Sequence, residues 1–236
     1  MGKALVLLSG GLDSSTCAAM AVKAYGAENV QALTIFYGQK HQTEIDAAKN
    51  IAEALGLASH SVVSLPTEPF KGAGSTLIDP DKPNPELTYQ QIAESTGPSP
   101  TYVPFRNANL LSMATAIALR DGCEVIYYGA HAEDARNFAY PDCTPEFNGA
   151  MANAIFVGSY FKVKLITPLQ WMMKSDVAWN ALELEVPIEL THSCYNGKRP
   201  ACGKCPTCVE RIEAFKAIGV KDPLPYEIDI DWSGCR

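Results

Sequence analysis

Neither GxxxxGK followed by Ser or Thr nor GxGxxG occurs anywhere in the 236 residues, which excludes the two commonest glycine-rich phosphate cradles. Basic charge is scarce: 19 Lys and Arg stand against 26 Asp and Glu, a net charge of -7. The chain as a whole does not attract a phosphate backbone, so no nucleic-acid partner is expected. Lys198, Arg199 and Lys204 are the one local basic cluster and read as a solvated face. No apolar run approaches the length of a membrane span, the first is too short for a signal peptide, and Val6 stands where a myristoylation signal needs Ser or Thr. The expectation is a soluble cytoplasmic protein without a membrane partner. In that reducing compartment, eight cysteines suggest metal binding or catalysis rather than disulfides.

With 47% hydrophobic residues the chain can bury a substantial core. It is organised around the turn Leu8-Ser9-Gly10-Gly11-Leu12-Asp13-Ser14-Ser15-Thr16, between an apolar strand at 4–8 and helical spacing at 14–25. A helix N-terminus has unpartnered N–H groups and a positive dipole end, and glycines without Cβ atoms let phosphate oxygens approach it. Ser9, Ser14 and Ser15 add hydroxyls, and Asp13 can cap the helix or help hold magnesium. The SGGLDS order resembles the PP-loop ATP pyrophosphatases, which implies chemistry releasing AMP and pyrophosphate.

Strands at 30–36, 61–65, 125–128 and 162–166 alternate with helices at 41–55, 108–119, 147–160 and 175–185. This is the α/β pattern of a parallel sheet covered by helices. Residues 66–100, with seven prolines, interrupt it; the segment reads as a flap, with one short helix at 87–95. Lys40 and His41 stand at the carboxyl end of the second strand, where such a sheet presents its ligand edge. Arg106 precedes a helix and has a planar fork suited to phosphate or carboxylate, with Asn107 as the expected cap. Gly129 leaves room for a flat base, and Asp134 can accept from a guanine-like ring. Asp142 is a further candidate substrate contact. Lys174 is a candidate phosphate contact, with Ser175 as the expected cap of its helix.

Cys194, Cys202, Cys205 and Cys208 form C-x7-C-x2-C-x2-C, matching the closed thiolate shell of structural zinc; an iron–sulfur cluster is the main rival. Cys17 and Cys123 read as small buried hydrophobes. Val209, Ile212, Phe215 and Ile218 then mark one face of a helix that the knuckle pins to the main body. Residues 1–190 are thus expected to form the nucleotide-binding and catalytic domain, and 191–236 the zinc knuckle and last helix.

Together SGGLDSS, YGQKH, VPFRN, GAHAED, YPDC, ITPLQWMMKSD and HSCYNGKRPACGKCPTC resemble the 7-cyano-7-deazaguanine synthase family of the queuosine pathway, over nearly the whole chain. The resemblance implies a Rossmann-like parallel sheet with helices on both faces. It also implies ATP-driven conversion of a 7-carboxyl on deazaguanine to a nitrile with ammonia, and a homodimer. The ATP loop carried over is Leu8, Ser9, Gly10, Gly11, Leu12, Asp13, Ser14, Ser15, Thr16, Cys17 and Ala18, with magnesium on the pyrophosphate. Lys40, Arg106 and Lys174 are the candidates for stabilising developing charge, and Gly129, Asp134 and Asp142 for holding the deazapurine. Phe105 stands where the family often has glycine. With the sheet beginning at Ala4, no glutaminase domain is expected and ammonia comes from outside. Two alternatives are a PP-loop tRNA thiolase using Cys143, and a zinc-stabilised nucleotide-binding module without turnover.

Overall fold

The computed structural model describes residues 2–40, 42–94 and 98–236, so His41 lies outside the described residues. Strands β1 (Lys3–Leu7), β2 (Val30–Phe36), β3 (Ser59–Ser64), β4 (Cys123–Tyr127) and β5 (Lys164–Ile166) form one parallel sheet ordered β3-β2-β1-β4-β5. The helices are α1 (Leu12–Tyr25), α2 (Thr43–Ala54), α3 (Tyr89–Glu94), α4 (Arg106–Asp121), α5 (Pro145–Gly158), α6 (Lys174–Glu183) and α7 (Pro206–Ala217).

The pleat of β1 sends Ala4 and Val6 to one face and Leu5 to the other. The first face packs on α1, α2, α6 and α7 through Cys17, Ile51, Val177 and Phe215, and the second on α4 and α5 through Leu111, Ala114 and Ile155. Both faces are covered, as a parallel sheet requires. The chain leaves β1 towards β2 and β3 and returns on its other side as β4 and β5, which opens a crevice at the carboxyl ends of β1 and β4.

β2 coincides with the apolar run at 30–36. β3 begins at Ser59 rather than at 61, because Ser59 and His60 pair with Gln31 and Ala32 at a sheet edge where burial is not required. Two expected caps are corrected. Phe105, not Asn107, is the N-cap of α4, and the distant Asp142 carboxylate accepts the Asn107 N–H at 3.0 Å. Met173, not Ser175, is the N-cap of α6, and its N–H donates to Asp176 at 2.9 Å. Within the proline-rich segment, α3 falls inside the expected stretch, and described residues of the segment pack beside the crevice. Phe70 is buried with Tyr37 and Val103, Leu77 accepts the Lys40 N–H, and the Asn84 amide donates to the Tyr195 carbonyl at 2.7 Å. Among the described residues no helix is long and apolar enough to cross a membrane.

Candidate active site

A cavity of about 270 Å³ opens where β1, β2 and β4 end. Its floor is the turn between β1 and α1. Gly10 has φ 84°, and a Cβ there would lie 2.5 Å from the Glu44 carbonyl oxygen and 2.7 Å from the Ala48 nitrogen, so only glycine fits. Ser14 Oγ accepts the Ser9 N–H at 3.1 Å and donates to the Gly11 carbonyl at 3.1 Å. Gly11, the N-cap of α1, makes no side-chain cap, which leaves the helix N-terminus open to an anion. From β4, Gly129 comes so close that a Cβ would stand 3.3 Å from the Ser14 nitrogen.

Lys174 enters one wall from α6 and is buried. Its ammonium lies 2.8 Å from Asp13 Oδ2, 3.2 Å from Glu210 Oε2 and 3.4 Å from His131 Nε2. Burial alone would lower its pKa, but Asp13 and Glu210 more than reverse this, and Lys174 is held charged. Burial likewise raises Asp13, yet Lys174 and His131 outweigh it and the carboxyl sits below its usual range. Asp134 Oδ2 lies 3.5 Å from His131 Nε2.

Arg106 lines the same cavity. It donates to the Tyr37 hydroxyl at 2.9 Å and to Asn107 Oδ1 at 3.1 Å, with its guanidinium 4.9 Å from the centre of the Tyr37 ring. Burial opposes its charge, but Tyr37, Tyr128 and Asp142 raise its pKa. Phe105 before it has φ 55°, a left-handed conformation that glycine adopts without strain. Cys143, also in the wall, is buried, and burial pushes its thiol well above the usual range, so it stays protonated.

The sulfur atoms of Cys194, Cys202, Cys205 and Cys208 all lie within 4.8 Å of one another and all four residues are buried. Cys202 and Cys208 Sγ are 3.9 Å apart, close to the about 3.8 Å that tetrahedral zinc–thiolate bonds dictate. Backbone N–H groups of Cys202 and Cys205 point at Cys194 and Cys202 sulfurs, an arrangement that favours thiolates. The donor set fits structural zinc.

A profile of the family "Queuosine biosynthesis protein QueC" matches residues 3–219. The chain belongs to the QueC family. It is 45% identical over 231 residues to 7-cyano-7-deazaguanine synthase of Caldicellulosiruptor bescii, covering 98% of this chain and 100% of that one. It is 43% identical over 230 residues to the synthase of Koribacter versatilis, covering 95% of this chain and 93% of that one. With the Caldicellulosiruptor saccharolyticus synthase it shares 42% over 231 residues, covering 98% of each.

In this QueC family member the cavity wall includes Leu8, Ser9, Gly11, Asp13, Ser14, Lys40, Arg106, Gly129, Asp134, Asp142 and Lys174 of the residues singled out in the sequence. Gly10, Leu12, Ser15, Thr16, Cys17 and Ala18 are absent from it. Leu12, Cys17 and Ala18 are core residues, and the Thr16 hydroxyl donates to the Leu12 carbonyl. Lys40 donates to the Lys82 carbonyl, and Asp142 is engaged at the α4 N-terminus. Sequence reasoning missed Glu44, His131, His192 and Tyr195 in the wall, and Glu210 behind it. The signal for Glu210 was a charged pair, Glu210-Arg211, beside an apolar stripe; both prove buried.

Proposed function

We propose that the cavity converts 7-carboxy-7-deazaguanine and ammonia to 7-cyano-7-deazaguanine, cleaving ATP to AMP and pyrophosphate. Membership of the QueC family carries this reading. The substrate carboxylate attacks the α-phosphorus and pyrophosphate leaves; ammonia then displaces AMP to give the amide. The amide oxygen attacks a second α-phosphorus, and loss of two N–H protons with AMP leaves the nitrile. The open α1 N-terminus, Ser9 and Ser14 bind the pyrophosphate part, where magnesium offsets its charge. Arg106 and Lys174, both held charged in the cavity wall, stabilise the charge that develops there, with Lys40 in the same cavity. Gly129, Asp134 and Asp142 are assigned to the deazapurine.

Zinc on the four cysteines closes the knuckle and contributes directly to folding. Residues 1–190 carry the sheet and the nucleotide turn, and 191–236, the knuckle and last helix, add His192 and Tyr195 to the cavity wall. The enzyme works in the cytoplasm as a homodimer, the state its family resemblance implies. A thiolase is disfavoured by the protonated Cys143 and the net charge of -7. Purified protein mixed with ATP, magnesium, ammonium and the carboxylic acid should yield the nitrile by mass spectrometry; no nitrile, or nitrile from glutamine but not ammonium, contradicts the proposal.

A further inference from the structure

Two positions after Cys208, Glu210 turns inward from α7 and is only 5% exposed. Its Oε2 lies 3.2 Å from Lys174 Nζ and its Oε1 3.8 Å from His131 Nε2, and neither oxygen accepts a hydrogen bond. A carboxylate so placed destabilises the fold unless a cation neutralises it. His131, Glu133 and Glu210 bring their ligand atoms within 4.8 Å of one another, a grouping that suits a metal ion. The Lys174 ammonium, 3.4 Å from His131 Nε2, already stands there, so the resident cation is the lysine. The same ammonium reaches Asp13 in the turn that opens α1.

Glu210 is tied closely to the cysteines. Cys205 is the N-cap of α7 and Cys208 lies in its first turn, so the knuckle sets where this helix begins and which way Glu210 faces. The knuckle also touches the turn from the other side: the His192 N–H donates to the Gly10 carbonyl at 2.8 Å, and Thr207 Oγ1 holds the Ser193 carbonyl at 2.6 Å.

We propose that Glu210 is a positioning residue, which fixes the Lys174 ammonium against Asp13 and so makes the geometry of the cavity depend on the cysteine knuckle. The inference deepens the proposed function, since it takes Lys174 to face the nucleotide. Without the Glu210 carboxylate, Lys174 keeps Asp13 and His131 but loses the second of its two carboxylate partners, and its long side chain regains rotamers, a displacement of the kind that slows chemistry more than it weakens binding.

The test uses full-length, metal-loaded protein and Glu210→Gln, which keeps the shape and removes the charge. Acetylation of Lys174 by acetic anhydride, followed by peptide mass spectrometry, reports its confinement without any turnover. In Glu210→Gln, with zinc content unchanged, labelling should be about fivefold faster, kcat for AMP release about tenfold to a hundredfold lower, and KM for ATP within about threefold of the parent. Glu210→Asp should recover part of each change. Should Glu210→Gln fail to fold, the parent protein decides the matter: stripping zinc with a chelator should speed Lys174 labelling before the β1 amides exchange. Labelling at the parent rate in the variant and after zinc removal overturns the proposal, as does an unchanged kcat in a variant that labels faster. Absence of AMP formation by the parent protein counts against the proposed function, and the labelling then tests this inference by itself.

Discussion

Gly10 and Gly11 are adjacent and have separate tasks. A Cβ on Gly10 meets the backbone of α2 and imposes a strained φ, so Gly10→Ala should cost about 2–4 kcal/mol in thermal unfolding. A Cβ on Gly11 meets nothing nearer than Ser9 Oγ at 3.5 Å, so Gly11→Ala should fold normally and raise KM for ATP by crowding the phosphates. The glycine pair was legible in the sequence, but the division between them was not, because it depends on how closely α2 approaches. Asp13 gives a pH prediction. Its folded pKa lies below the model-peptide value, so its pairing with Lys174 stabilises the protein above that value and is lost as pH falls through the folded pKa. Asp13→Asn should therefore flatten the acid limb of the stability curve, measured by urea unfolding across pH, and lower the curve near neutrality by a constant amount without changing its shape there.

Among the elements, apolar periodicity located every strand and the main helices, since burial on a two-faced parallel sheet dictates that spacing. What it could not locate were the helix starts. In the first turn of α4, behind its N-cap Phe105, the Asn107 N–H is satisfied by Asp142, a residue 35 positions downstream of Asn107, and only the fold brings the two together. α5 is different: its cap is local, with Thr144 Oγ1 accepting the Phe147 N–H at 3.2 Å. Thr144→Ala should cost about 1 kcal/mol in urea unfolding, with the slope unchanged. The C-x2-C-x2-C run was legible for the same reason as the glycine turn, being local. Glu210 was not, because nothing in the spacing of residues 174 and 210 announces that α6 and α7 pack side by side.

For the whole molecule, the knuckle and the sheet are not energetically separate, because Phe215 and Ala214 of α7 belong to the core cluster that also holds Leu12, Cys17 and Val177. Chelating the zinc should lower the melting temperature, and hydrogen exchange should show the α7 amides losing protection before those of β1 and β4. The crevice at the reversal of strand order then gathers an uncapped helix N-terminus, a confined lysine and a confined arginine in one cavity. Under the proposed function, that grouping holds the outer two phosphates of ATP while the bond to the innermost one breaks. Phosphorus NMR of the nucleotide products during turnover with the carboxylic acid and ammonium reads this directly. AMP and pyrophosphate in equal amounts are the expected products; ADP and inorganic phosphate would contradict the account.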